Sequence, residues 1–185
     1  MSNLNGNSPV QKLVTALHQE FQQSPKAGGV LDLLGNYCQN ETDWKSYAHF
    51  NDDHYTRNLI ARTELFDLIV LCWGKDQISP IHNHAGQRCW MTILEGSIFE
   101  TLYHRHSDSN NNQLEKGETR TYEQGVVGYI TDDIALHIIG ATHDQPAISL
   151  HLYSLPYDEC NIYDPVTGEV SPKKLSFYTV DGQPV

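Results

Sequence analysis

From about Arg57 onward the chain breaks into short apolar or alternating runs, at 58–63, 65–73, 79–84, 89–95, 97–104, 119–124, 126–131, 135–139 and 147–153. Turn signals separate them, among them Glu95-Gly96 and the polar stretch from Ser107 to Asn112. Runs of this length match strands, and many of them in succession point to a β-sandwich or small barrel. The first third reads differently. Ser8-Pro9 opens a helix, with Ser8 as N-cap, Pro9 at the first helical position and Gln11 closing a capping box. Val10, Leu13, Val14, Leu17 and Phe21 recur at helical spacing until Ser24-Pro25 ends the pattern. Val30, Leu31, Leu33 and Leu34 predict a second short helix stopping near Gly35-Asn36, and Trp44 to Phe50 a third. Amphipathic helices packed on a sheet account for all three.

No internal repeat and no long linker divides the chain. The expectation is one domain over 1–185, with a helical segment at 1–50 and a β-barrel at 57–185. The length of 185 residues suits one domain with a good core, and 39% hydrophobic residues exclude a disordered or fibrous chain. The formal charge of -11 would repel phosphate backbones and anionic lipid surfaces, so nucleic-acid and membrane partners are disfavoured. Cys38, Cys72, Cys89 and Cys160 lie far apart with no CxxC pair, which argues against a zinc ribbon or a disulfide framework. The segment Met1 to Asn7 has no basic and apolar regions of a secretion signal, and no apolar run nears the roughly 18 residues of a membrane helix. A reducing cytosol is the expected compartment.

Chemistry concentrates in Pro80-Ile-His-Asn-His-Ala-Gly-Gln-Arg-Cys-Trp90. In a strand, His82 and His84 point the same way, so two imidazoles share a face and could hold a first-row metal with a third from a neighbouring strand. An HxH pair is a weak signal alone. His104-Arg-His106 is a second pair, and its neighbouring Ser/Asp/Asn loop marks it as a solvated strand end. His137, in Ile134-Ala-Leu-His-Ile-Ile139, is either the third ligand or a satisfied core histidine. In Ser149-Leu-His-Leu-Tyr153 the residues Ser149, His151 and Tyr153 share one face and the leucines the other. That pattern fits a polar cavity inside an apolar shell, although a solvent-facing strand alternates too. Arg57, in His54-Tyr-Thr-Arg-Asn58, is either a surface arginine or a fork for a small carboxylate, with Tyr55 as its same-face neighbour.

Together these residues resemble the cupin fold and, within it, the cysteine dioxygenase family. The resemblance runs from about Trp44 to Tyr178, through Tyr55-Thr-Arg-Asn-Leu59, Cys72-Trp-Gly74, His82-Asn-His84, Glu95-Gly96, Glu100-Thr-Leu102, Gly125, His137 and Ser149 to Ser154. Cys89 stands where most cupins carry a glutamate ligand. The resemblance implies a mainly β cupin, a small β-barrel or jelly-roll, with N-terminal α-helices. It implies Fe(2+) held by His82, His84 and His137, a substrate carboxylate gripped by Arg57 with Tyr55 in support, and a thioether between Cys89 and Tyr153. Ser149 and His151 would be the hydrogen-bonding partners of that tyrosine, and Cys160 would lie near the pocket mouth without a catalytic role. The implied reaction is oxidation of L-cysteine by O2 to cysteine sulfinate in a cytoplasmic, monomeric enzyme.

The chain departs from the family in two places. Arg88 precedes Cys89 where animal members carry histidine. Leu155 stands where many members have a proline, often after a cis peptide, so the bend there is expected to be built differently, with Pro156. Three rival readings remain open. A dioxygenase for 3-mercaptopropionate or another small thiol is opposed by Arg57, where relatives of that preference usually carry glutamine. A non-redox zinc or manganese cupin would want a carboxylate ligand near Cys89. A non-catalytic thiol sensor would usually bring an effector domain.

Overall fold

The structure, a computed structural model, describes residues 7–24, 26–105, 114–142 and 145–185. Two helices, α1 (Pro9–Gln23) and α2 (Val30–Asn40), and a 3-10 turn at Asp43–Tyr47 precede the strands. These are β1 (Thr56–Arg62), β2 (Asp67–Trp73), β3 (Ile81–His82), β4 (Arg88–Glu95), β5 (Ser97–Arg105), β6 (Leu114–Glu123) and β7 (Val127–Ile130). They continue as β8 (Leu136–Ala141), β9 (Ala147–Ser154), β10 (Glu159–Tyr163), β11 (Val170–Lys174), β12 (Thr179–Val180) and β13 (Gln183–Pro184). One sheet has the order β13-β12-β1-β2-β9-β4-β7 and the other β11-β10-β3-β8-β5-β6. The chain is therefore mainly β, in two sheets, with its helices N-terminal, as the sequence pattern indicates.

Burial explains which runs read as strands. Leu59, Ile69, Leu71, Trp73 and Met91 of the first sheet meet Ile98, Leu102, Ile139 and Ala141 of the second in one interior cluster. The other face of the first sheet carries Leu68, Val70, Trp90, Leu150 and Leu152, and packs against Leu13, Leu17 and Leu34 of the helices. β2 and β9 are thus covered on both sides and buried along their whole length, which is why 65–73 reads as a continuous apolar run. Between β4 and β5, Gly96 turns at φ 74°, and a Cβ there would stand 2.7 Å from the Pro146 carbonyl oxygen. Among the described residues no helix is long and apolar enough to cross a membrane.

Three element boundaries differ from expectation. α2 does not stop near Gly35-Asn36 but continues to Asn40. Tyr37 and Cys38 extend its buried stripe, the Tyr37 hydroxyl donates to Asp43 Oδ1 at 2.8 Å, and Cys38 Sγ donates to the Ile93 carbonyl at 2.8 Å. These contacts outweigh the roughly 1 kcal/mol that an interior glycine costs a helix. The third helix shrinks to a 3-10 stretch at Asp43–Tyr47: Ala48 is already extended at φ -87°, ψ 92°, and the His49 carbonyl beyond it accepts from Thr56 Oγ1 and Asn58 Nδ2 of β1. β6 starts at Leu114, ahead of the apolar run at 119; its first residues are mostly exposed, so only backbone pairing with β5 reveals them. Ser8 Oγ accepts from the Gln11 N–H at 3.4 Å. Pro25, His106, the turn from Ser107 to Asn112 and the segment before Asn7 lie outside the described residues.

Candidate metal centre

β3 is two residues long, and its register sets the centre. His82 pairs directly with His137 of β8, which brings the two Nε2 atoms to 3.2 Å. His84 lies just beyond β3. The Asp132 carboxylate holds this bend, accepting from the backbone N–H groups of His84 and Gly86 at 2.7 Å each. One ligand atom from each of His82, His84 and His137 lies within 4.8 Å of the others, and the ring centroids are 4.6–5.3 Å apart. His84 is 0% exposed and His137 2%.

The hydrogen bonds fix the tautomers. His82 Nδ1 lies 3.0 Å from the Pro80 carbonyl, which can only accept, so this nitrogen carries the proton. His137 Nδ1 lies 2.6 Å from Glu100 Oε1 and donates to it. Burial above all, reinforced by the neighbouring His84 ring, pushes the His82 pKa down to about 3 and keeps the ring neutral. Burial likewise holds His137 well below the usual histidine range. Both Nε2 atoms are then bare acceptors aimed at each other. His84 has a contact of 3.5 Å from Nδ1 to Asp132 Oδ1, too long for a good hydrogen bond. Neither of its ring nitrogens has a hydrogen-bond partner. Unmatched lone pairs in a buried place need a cation. Two nitrogens, each about 2.0–2.1 Å from one metal, lie roughly 2.8–3.4 Å apart for right-angle to tetrahedral geometry, and the His82–His137 spacing of 3.2 Å falls there. The residues fit a metal ion.

Glu100 orients the His137 ring and Asp132 holds the bend at His84, and neither residue was given a role from sequence. Glu100 sits on the inward face of β5 with Ile98 and Leu102, is 5% exposed, and accepts from Tyr122 Oη at 2.7 Å through its second oxygen. An acid between two apolar residues at i−2 and i+2 was the available signal. Asp132 stands in a loop, where no periodicity singles it out.

A second polar group runs along β9. Trp73 Nε1 donates to Ser149 Oγ at 2.9 Å, Ser149 Oγ lies 2.9 Å from His151 Nε2, and His151 Nδ1 lies 3.1 Å from Tyr153 Oη. The Tyr153 ring centroid lies 6.2 Å from that of His84. Burial raises the Tyr153 hydroxyl well above the ordinary tyrosine range and holds His151 well below that of histidine. Cys89 is the direct cross-strand partner of Tyr153; its Sγ is 3.9 Å from His151 Nδ1, and burial pushes its thiol pKa up.

Arg57 faces the same interior from β1. Its guanidinium carbon stands 5.6 Å from the Tyr153 ring centroid and 5.7 Å from that of Phe177. Its buried Nε has no hydrogen-bond partner. Tyr55 stacks on Trp73 with centroids 4.6 Å apart. A cavity of about 300 Å³ opens at Tyr55, Arg57 and Phe177. Cys160 is buried on β10, with Arg57 among the charges that act on its thiol. His104 lies exposed at the end of β5. Arg88 turns the other way, over the rings of Phe21 and Trp90. The Ser154–Leu155 peptide is cis, so the bend is not rebuilt around Pro156. Leu155 N–H donates to Gln87 Oε1 at 2.7 Å, a bond that a proline here could not make.

The family model for cysteine dioxygenase type I matches residues 1–166. The cysteine dioxygenase type 1 of Rattus norvegicus is 35% identical over 173 residues, 92% of this chain and 86% of its own. That of Danio rerio is 33% identical over 177 residues, 94% of this chain and 88% of its own. Among solved structures, a cupin superfamily protein of Desulfitobacterium hafniense aligns with a TM-score of 0.45 at 9% identity, over 59% of this chain and 84% of its own.

Proposed function

The chain belongs to the cysteine dioxygenase type I family, and on that premise we propose that it oxidises L-cysteine with O2 to cysteine sulfinate, using Fe(2+) held by His82, His84 and His137. The observation that carries the proposal is the convergence of three imidazoles beside a guanidinium whose buried Nε has no hydrogen-bond partner and whose charge acts on His82. Ferrous ion held by His82, His84 and His137 would supply the redox chemistry that couples a thiol to O2, and ligands that bring no negative charge would leave its double positive charge to favour the thiolate form.

The chain's own groups do the rest. Arg57 takes the substrate carboxylate as a charge-assisted pair, and Tyr55, fixed by its stack on Trp73, braces that end. Trp73 can only donate, so Ser149 Oγ accepts from it, and its own hydroxyl donates a hydrogen bond to His151 Nε2. Neutral His151 then carries its proton on Nδ1 and donates to the Tyr153 oxygen. The hydroxyl proton of Tyr153 is left free for the substrate side, and the raised pKa keeps it there at neutral pH. Cys89, opposite Tyr153 in register, is the proposed partner in a thioether. Forming that bond removes one S–H and one ring hydrogen, which O2 accepts, and it fixes the ring in one orientation.

The rival metal cupin needs a carboxylate on the metal. Among the described residues the cluster holds histidines only, and Glu100 is engaged on the far nitrogen of His137. A cytoplasmic monomer acting on small molecules, built as one domain over 1–185, completes the proposal. Metal analysis and oxygen uptake with L-cysteine, cysteamine and 3-mercaptopropionate test it. Iron and strong uptake with L-cysteine are expected; zinc, or a preference for either other thiol, would contradict it.

A further inference from the structure

Two rings from irregular segments lie over the Arg57 end of the pocket. Phe177 comes from the connection between β11 and β12, and Tyr157 from the loop between β9 and β10. The Tyr157 ring meets Tyr153 edge-on, with centroids 5.5 Å apart at 88°. Beside Phe177, the Tyr178 N–H donates to the Arg57 carbonyl at 2.8 Å, whereas Tyr157 stands outside the β10–β11 ladder, which begins at Glu159. Arg62, at the end of β1, adds a side-chain connection between the two segments. Its Nε and Nη2 donate to the two oxygens of Asp67 at 2.8 and 2.9 Å, and its Nη1 reaches Asp158 Oδ1 at 2.8 Å. Asp158 follows Tyr157 in the chain, and its carbonyl accepts from Leu175 N–H at 2.9 Å. That bond ties the two covering segments together. The Arg62 guanidinium carbon also lies 5.4 Å from the Phe177 ring centroid, so Phe177 has Arg62 and Arg57 as its two cationic neighbours. Asp67 is 1% exposed and needs a partner, which gives the anchor a fixed base.

We infer that Arg62 is a positioning residue for substrate binding: bridging Asp67 and Asp158, it pins Tyr157 and Phe177 in place and so holds Arg57 ready for the substrate carboxylate. Three directed bonds plus a face on Phe177 suit a planar fork and not a lysine. The inference rests on the cysteine reading of the pocket.

The test is calorimetric titration of L-cysteine, and separately of cysteamine, into iron-loaded protein without oxygen. Asp158→Asn cuts the exposed arm alone. Arg62→Gln with Asp67→Asn removes the anchor without stranding a buried charge. We expect the L-cysteine Kd to weaken about threefold in the first and about tenfold in the second, with cysteamine changed less than about twofold in both. L-cysteine affinity within about twofold of wild type in both variants would overturn the inference, as would equal losses for the two thiols. Wild-type protein that fails to bind L-cysteine would instead overturn the cysteine reading, and the inference with it.

Discussion

Arg57 brings a charge into an aromatic surround, between the rings of Tyr153 and Phe177. Replacing it with glutamine keeps a polar side chain but loses the charge-assisted fork, a change of roughly 1.5–3 kcal/mol or about ten- to hundredfold in cysteine binding. Steady-state kinetics of Arg57→Gln should show that loss in kcat/KM at unchanged iron content, and equal turnover would count against the carboxylate role. Glu100 acts one bond further from the metal. Glu100→Gln exchanges a charge-assisted acceptor at His137 Nδ1 for a neutral one, and iron affinity in chelator competition should fall about ten- to hundredfold. At this scale sequence singles out the three clustered histidines well. His82 and His84 lie two apart in a strand-like run, and His137 interrupts an apolar one. It does not carry Asp132, because a loop carboxylate that binds backbone N–H groups 46 and 48 residues away leaves no local pattern.

At the scale of elements, alternation was legible because one sheet face meets the other sheet and its opposite face meets the helices. β9 shows this: Leu150 and Leu152 belong to the helix-side cluster, while Ser149, His151 and Tyr153 form the internal row. Partners were not legible. That His82 faces His137, or Cys89 faces Tyr153, follows from crossings between strands, at separations of 55 and 64 residues, which no local window of sequence spans. The split into two clusters makes a prediction. Leu34 is 0% exposed on the helix side, so Leu34→Ala should cost about 2–5 kcal/mol of stability through the cavity it leaves. Chemical denaturation should register that loss while iron stoichiometry stays at the wild-type value. Iron lost in proportion to stability would show that the helix layer and the metal centre are one unit.

For the whole molecule, the consequence of burying so many hydroxyls is a limit at high pH. Burial is the leading cause that raises the pKa of Tyr37, Tyr55, Tyr153 and Tyr157 above the ordinary value of 10.0, and that of Tyr122 to about 12. A group whose pKa is higher in the fold keeps its full stabilisation below the unfolded value and loses it as pH climbs toward the folded one. Stability should therefore hold up to about pH 10 and decline above it. Tyrosinate absorbance from these residues should rise together with loss of the circular dichroism signal. Their ionisation near pH 10 in a protein with native dichroism would show that they are open to water. The central claim is chemical, and isotopic oxygen reaches it most directly. When the iron-loaded protein turns over L-cysteine under 18O2 in ordinary water, mass spectrometry should find cysteine sulfinate with both sulfinate oxygens labelled; unlabelled sulfinate, or cystine as the only product, would contradict it.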